Sequence, residues 1–251
     1  MKKHQTTIIP HLIAAALMLG SFSLSAAETN TNKWETSAAA GLTLTRGNSE
    51  TLMGTLSLNS SRKWPRDEVL LGASGTYGEN TDQDTDETET TDANVQGFGQ
   101  YNHMFTDRFY GGLRLAALHD KIADVKYRIT FSPLLGYYVI KNPKTQLAFE
   151  AGPSFVLEKQ GDDTDEYIAL RLAERFEHKF SARAKMWQSV EYLPQIDRWG
   201  NYLINFEIGA EASLTEKLAL RGVLQDTYDG EPAPGRKNND VKLITSLVYK
   251  F

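Results

Sequence analysis

The chain has 251 residues, no cysteine and a formal net charge of −5. Without a thiol it can form no disulfide, thiolate metal site or cysteine nucleophile. An acidic balance argues against nucleic acid as a partner.

The N-terminus, "MKKHQTTIIPHLIAAALMLGSFSLSAA", places Lys2 and Lys3 before a 13-residue apolar run from Leu12 to Leu24, then the small residues Ser25, Ala26 and Ala27. That order is the pattern of a cleavable signal peptide over 1–27. The run is shorter than the roughly 20 residues a spanning helix needs, so a retained anchor is the lesser alternative. Loss of the two lysines takes the net charge from −5 to −7. Residues 28–251 remain as a single domain.

From there the apolar residues follow a period of two rather than a helical period. The first segment, 34–46, carries Leu42 and Leu44 on one face, and the second, 51–60, carries Leu52, Leu56 and Leu58. Between them "TRGNSET" offers Gly47 and Asn48, residues that tolerate positive φ in a tight hairpin turn. Further segments fall at 68–78, 94–104, 108–118, 125–140, 145–158, 167–178, 181–193, 202–214, 218–227 and 241–251. In 125–140 the odd positions from Val125 to Val139 are apolar or aromatic, while Lys126, Arg128, Thr130 and Ser132 lie between them.

Segments of this length exceed the 5–6 residues usual in soluble sheets and match the 9–11 that a spanning strand needs. Short connections at 106–107, 141–144, 179–180 and 215–217 alternate with longer polar ones at 79–93, 159–166, 194–201 and 228–240. The expected fold is therefore all-β: one antiparallel up-and-down transmembrane barrel of about 12 strands (range 10–14). It would have short periplasmic turns and longer external loops, although the first pair, with 47–50 short and 61–68 long, breaks that order. A soluble periplasmic sandwich is the alternative fold.

Aromatic residues collect at the ends of the apolar faces, where amphipathic rings prefer the headgroup level. One rim holds Trp34, Tyr101, Tyr137, Tyr249 and Phe251, the other Tyr192 and Tyr202. The ending "TSLVYKF" has the form of a C-terminal strand that barrel-insertion machinery reads. Pro133 and Pro153 inside strands, and Glu174 on an outward position, fit this scheme least well.

Inward positions carry both signs of charge. The bases are Arg114, Lys126, Arg128, Arg171, Arg175, Arg183 and Lys185, with Arg221 and Lys242. The acids include Glu150, Glu158, Glu177, Glu191, Glu207 and Glu211. Bases gather on the fifth to ninth segments and acids on the tenth, so two outcomes stand open. A transverse field would pass water, ions or small polar solutes, or the charges would pair and close the barrel. A surface hydrolase is a third, weaker possibility, resting on His119 and Asp120 at an external rim. Adjacent residues on a strand face opposite ways, so no catalytic residue is assigned. The acidic stretch Glu79–Ala93 lacks the glycine and closing Glu of a calcium loop and reads as a solvated external loop beside lipopolysaccharide. No cofactor or metal is expected.

The opening strand and hairpin, with Trp34, Gly41, Gly47, Asn48 and Thr51, resemble the YdiY-like family of salt-induced outer-membrane proteins. The resemblance implies an outer-membrane barrel linked to salt or osmotic stress. It brings no catalytic residues.

Overall fold

The computed structural model describes residues 33–46, 49–82 and 87–251. Residues 1–32, which include the expected signal peptide, Gly47 and Asn48 of the expected turn, and residues 83–86 of the acidic stretch lie outside the described residues.

Twelve strands follow one another: β1 (Trp34–Arg46), β2 (Ser49–Lys63), β3 (Asp67–Asp82), β4 (Thr88–Met104), β5 (Phe109–Asp120), β6 (Val125–Lys141), β7 (Thr145–Gln160), β8 (Asp163–Lys179), β9 (Ala184–Pro194), β10 (Tyr202–Ser213), β11 (Leu218–Asp229) and β12 (Asn239–Lys250). Each pairs antiparallel with the next, and β12 returns to β1 from Ser37↔Lys250 to Gly41↔Ser246, closing the barrel. The backbone N–H of Phe251 bonds to the carbonyl of Thr36, so the last residue of the chain completes the seam. A sheet closed on itself has no second sheet to pack on, which removes the soluble sandwich.

Alternation sets which side chains face in. Leu113, Leu115, Phe131, Leu135, Phe149, Phe155 and Leu247 are exposed on the outer face, whereas Gln100, Glu150, Arg171, Arg175, Glu211 and Arg221 are buried inside. This inversion of the soluble rule suits a barrel whose outer solvent is lipid. The rim aromatics lie on the outer face as expected: Trp34, Tyr101, Tyr137, Tyr249 and Phe251 are all exposed. At the opposite end Tyr192 meets Tyr202 edge-on, and Tyr202 stacks on Tyr228.

The turns at one end share one sequence device. Thr106, Ser181 and Thr215 each open a turn and accept hydrogen bonds from the backbone N–H groups two and three residues on; Asn142 does the same with its amide oxygen. A short polar side chain that satisfies two turn amides lets a strand reverse without a long loop. Residues 64–66 make a fifth short turn at this end, closed by Trp64 N–H to Asp67 O at 2.8 Å. The stretch 61–68 is therefore not a long loop, and all five connections at this end are short. At the other end the strands run on further than expected. β3 and β4 take up most of 79–93, and β7 and β8 leave only 161–162 between them. The extended connections there are 195–201 and 230–238.

The two prolines fall opposite each other. The β6–β7 ladder is paired at Phe131↔Phe155 and resumes at Leu135↔Ala151, with Pro133 and Pro153 in the gap. Both missing N–H groups thus fall in one interruption, spanned on the inner side by Ser132 Oγ and Ser154 Oγ at 2.7 Å. Glu174 does point outward, and Gln188 Nε2 donates to it at 3.3 Å.

Candidate functional site in the barrel lumen

The turn-end half of the lumen is built around Glu150 of β7, whose side chain is fully buried. Its Oε1 accepts from Gln100 Nε2 (2.9 Å), Tyr110 Oη (2.8 Å) and Arg175 Nη2 (2.6 Å), and its Oε2 accepts from Arg171 Nη1 (2.9 Å). Arg171 Nε continues to Glu191 at 2.6 Å, with Arg114 Nε 3.8 Å from the same carboxylate. Two arginines around one buried carboxylate offset the desolvation that any one of these charges alone would not survive.

Bulky rings fill the same layer because small residues face them. A Cβ at Gly136 would stand 2.2 Å from Tyr110, and one at Gly209 would stand 2.1 Å from Trp187. Each glycine on the neighbouring strand leaves the space in which the ring lies. Trp187 donates its indole N–H to Glu207 Oε1 at 2.6 Å, and Arg221 lies over the ring 5.6 Å from its centroid. Near it Arg221 Nη2 binds Glu211 Oε2 (2.7 Å), and Lys250 reaches Glu211 Oε1 (2.8 Å).

Toward the loop end the charges link distant strands. Arg128 of β6 is bound by its neighbour Glu158 and donates through Nη2 to Asp229 of β11 at 2.9 Å, five strands away around the ring. Lys242 of β12 meets Asp92 of β4 at 2.5 Å. Between these chords and the Glu150 layer lies a cavity of about 180 Å3, bordered by Gln96, Arg114, Arg171, Glu191, Asn205 and Glu207 among others. A second space of about 30 Å3 lies against β1–β3, bordered by Thr55, Ser57, Ser74, Thr76, Glu207 and Gln225.

Most of the charged residues read as lumen-facing are brought together here: Arg114, Arg128, Arg171, Arg175, Lys185, Glu207 and Glu211. Two are not. Arg183 lies exposed in the β8–β9 turn, because β8 ends at Lys179 and β9 starts only at Ala184. Lys126 is displaced by a bulge between Val125 and Tyr127, which buries Val125. The Lys126 ammonium instead sits at the loop-end rim, on Gly161 O (2.6 Å) and near Asp162 (3.4 Å). The transverse field is also largely cancelled, since the bases of β6 and β8 meet acids on neighbouring and facing strands. Asp92 and Asp229 lie in stretches read as loops, so their part in the lumen was not read, although strand parity extended by a few residues would have caught them. His119 bonds the carbonyl of Lys126 at 2.8 Å, whereas Asp120 caps the N–H groups of Ile122 and Ala123, so the two side chains serve separate local structures. Among the described residues no three His, Asp or Glu side chains are grouped to hold a metal ion.

Two solved structures share this fold over nearly the whole chain. An outer-membrane channel from Pseudomonas putida F1 aligns with a TM-score of 0.53 at 10% identity, over 89% of this chain and 97% of that one. The NanC porin aligns with a TM-score of 0.51 at 9% identity, over 86% and 98%. Identities this low speak for the fold alone. No curated protein sequence matches the chain. A family model described as a protein of unknown function, DUF481, matches residues 38–251, a span that takes in all but the first four residues of the barrel. The chain is thus a twelve-stranded barrel that belongs to the DUF481 family.

Proposed function

We propose that the protein is a narrow passive channel for ions or small polar solutes in the outer membrane of a Gram-negative bacterium. The observation that carries this reading is the interior cavity of about 180 Å3, bordered by charged and amide side chains together with apolar ones such as Phe98, Ala116, Leu193 and Leu203, inside a closed barrel with an apolar outer face. A hydrated wall of mixed charge lowers the cost of moving a polar solute through the membrane. In this reading the chain is exported with cleavage after Ala27, inserted through its C-terminal strand, and surrounded by lipid and lipopolysaccharide. The family resemblance adds a link to salt or osmotic stress. The proposal includes no enzymatic step and no cofactor.

A second reading has its own support. The buried Glu150 layer and the cross-lumen pair Arg128–Asp229 favour a closed barrel with a structural role in the envelope. Planar-bilayer recording of the refolded protein separates the two. Discrete steps of conductance in concentrated KCl are expected of the channel, and sustained silence favours the closed barrel. Heat-modifiable migration in detergent gels verifies that the tested material is a folded barrel.

A further inference from the structure

We infer that the lumen passes cations, and that Glu207 on β10 is the residue that selects them. The inference rests on the channel reading and names the class of solute.

Glu207 differs from the other carboxylates of the mid-lumen in what it meets. Glu150, Glu158, Glu191, Glu211 and Asp229 each bind or approach an arginine. The partners of Glu207 are neutral: Trp187 donates to Oε1 at 2.6 Å and Gln225 Nε2 to Oε2 at 2.9 Å. Both bonds orient the carboxylate and neither cancels its charge. Arg114, Arg128, Arg171 and Arg175 also border the larger cavity, each on or near another carboxylate. The charge of Glu207, met by neutral donors, draws its counter-charge from solution, and in a narrow passage that counter-charge is the permeant ion.

The wall opposite suits a cation. Thr55, Ser57, Ser74, Thr76 and Ser246 border the smaller cavity with hydroxyls. Thr55 and Thr76 are cross-strand neighbours whose oxygens stand 3.4 Å apart, a loose pairing that leaves lone pairs for a visitor. The cavity of about 30 Å3 has room for a water-sized particle. Arg221 also borders it, but its guanidinium is anchored on Glu211 through Nε (3.0 Å) and Nη2 (2.7 Å). Glu207 and Gln225 line both this space and the larger cavity, so the carboxylate stands where the two adjoin. Hydroxyl and carboxylate oxygens are hard donors suited to alkali and alkaline-earth ions. One carboxylate, with no trio of acids around it, favours passage over tight retention.

The charges at the two ends differ in sign, and the loop-end mouth is the one that favours cations. Glu87, Glu89, Asp163, Asp165 and Glu166 are exposed at the loop end, and Arg66, Arg108, Lys144, Arg183 and Lys217 at the turn end. An acidic mouth concentrates cations at the loop end and repels anions.

The test is the reversal potential across a planar bilayer under a KCl gradient, with refolded full-length barrel and with Glu207→Gln and Gln225→Lys. The unaltered protein is expected to prefer K+ over Cl−. Glu207→Gln is expected to lower that permeability ratio at least about fourfold, the effect of a unit charge roughly 5 Å from the ion even at water's dielectric constant. Gln225→Lys places an ammonium beside the carboxylate and is expected to act in the same direction. It decides the matter if Glu207→Gln does not fold, as judged by heat-modifiable migration. A conducting pore that is unselective or anion-selective, or variants that keep the original ratio, would overturn the role of Glu207 and leave the channel reading standing. Silence of the folded, unaltered protein removes both.

Discussion

Replacing Glu150 by Ala removes the acceptor of four donors at once and leaves Arg175 in a buried layer without its carboxylate. Arg171 keeps Glu191, so the damage centres on one arginine and on the Tyr110 hydroxyl. Breaking a buried ion pair from one side costs about 3–5 kcal/mol, and the loss of two charge-assisted hydrogen bonds at about 1.5–3 kcal/mol each gives the same range. That corresponds to roughly two to three and a half powers of ten in the folding constant. Urea titration of the refolding equilibrium in lipid vesicles, read by gel mobility shift, measures it. The double variant Glu150→Leu with Arg175→Met removes both charges and is expected to regain most of the loss, because apolar packing of similar volume is tolerated where half a pair is not. A single variant within about 1 kcal/mol of the unaltered protein would refute the claim that this layer depends on paired charge, since the figure lies well below the range for a broken buried pair.

Gly209→Val would bring a side chain to within 2.1 Å of the Trp187 ring. The indole must then leave its seat, at about 1–3 kcal/mol; near-ultraviolet circular dichroism should lose part of its aromatic signal, and an unchanged spectrum would contradict the ring-on-glycine packing. Asp229→Ala releases Arg128 from its hold across the lumen. If the barrel conducts, unitary conductance should rise, and an unchanged value would put the narrowest point elsewhere. Leu115→Arg sets a charge on the outer face in the middle of β5, where the leucine is 54% exposed. The expected cost is about 2–4 kcal/mol for a lipid-facing arginine near the midplane, and equal stability in vesicles would show that this face does not meet lipid.

Alternation alone carried the architecture. A period of two over long segments, turn residues between them and aromatics at both rims are local properties. They set a strand number of about twelve, the up-and-down order and, for most positions, the face a side chain presents, in agreement with the closed barrel. Three turn-end reversals were legible for the same reason, because Thr106, Asn142 and Thr215 act on amides only two and three residues away; the turns at 64–66 and 180–183 were read with other bounds.

What the pattern could not supply was depth and partnership. A bulge of one residue moved Lys126 out of the lumen, and a turn a few residues longer did the same to Arg183. Periodicity cannot register either change. The inward charges were visible as a list, but whether they line a field or cancel in pairs depends on which strands face one another across the ring. Arg128 and Asp229 lie 101 positions apart in the chain and 2.9 Å apart in space. The sequence by itself thus determined a lipid-facing barrel with a polar interior. Register between neighbouring strands set the arginines beside Glu150 and the indole and amide beside Glu207. Only closure of the ring brought Arg128 to Asp229 and Lys242 to Asp92, because closure sets which distant strands share the lumen.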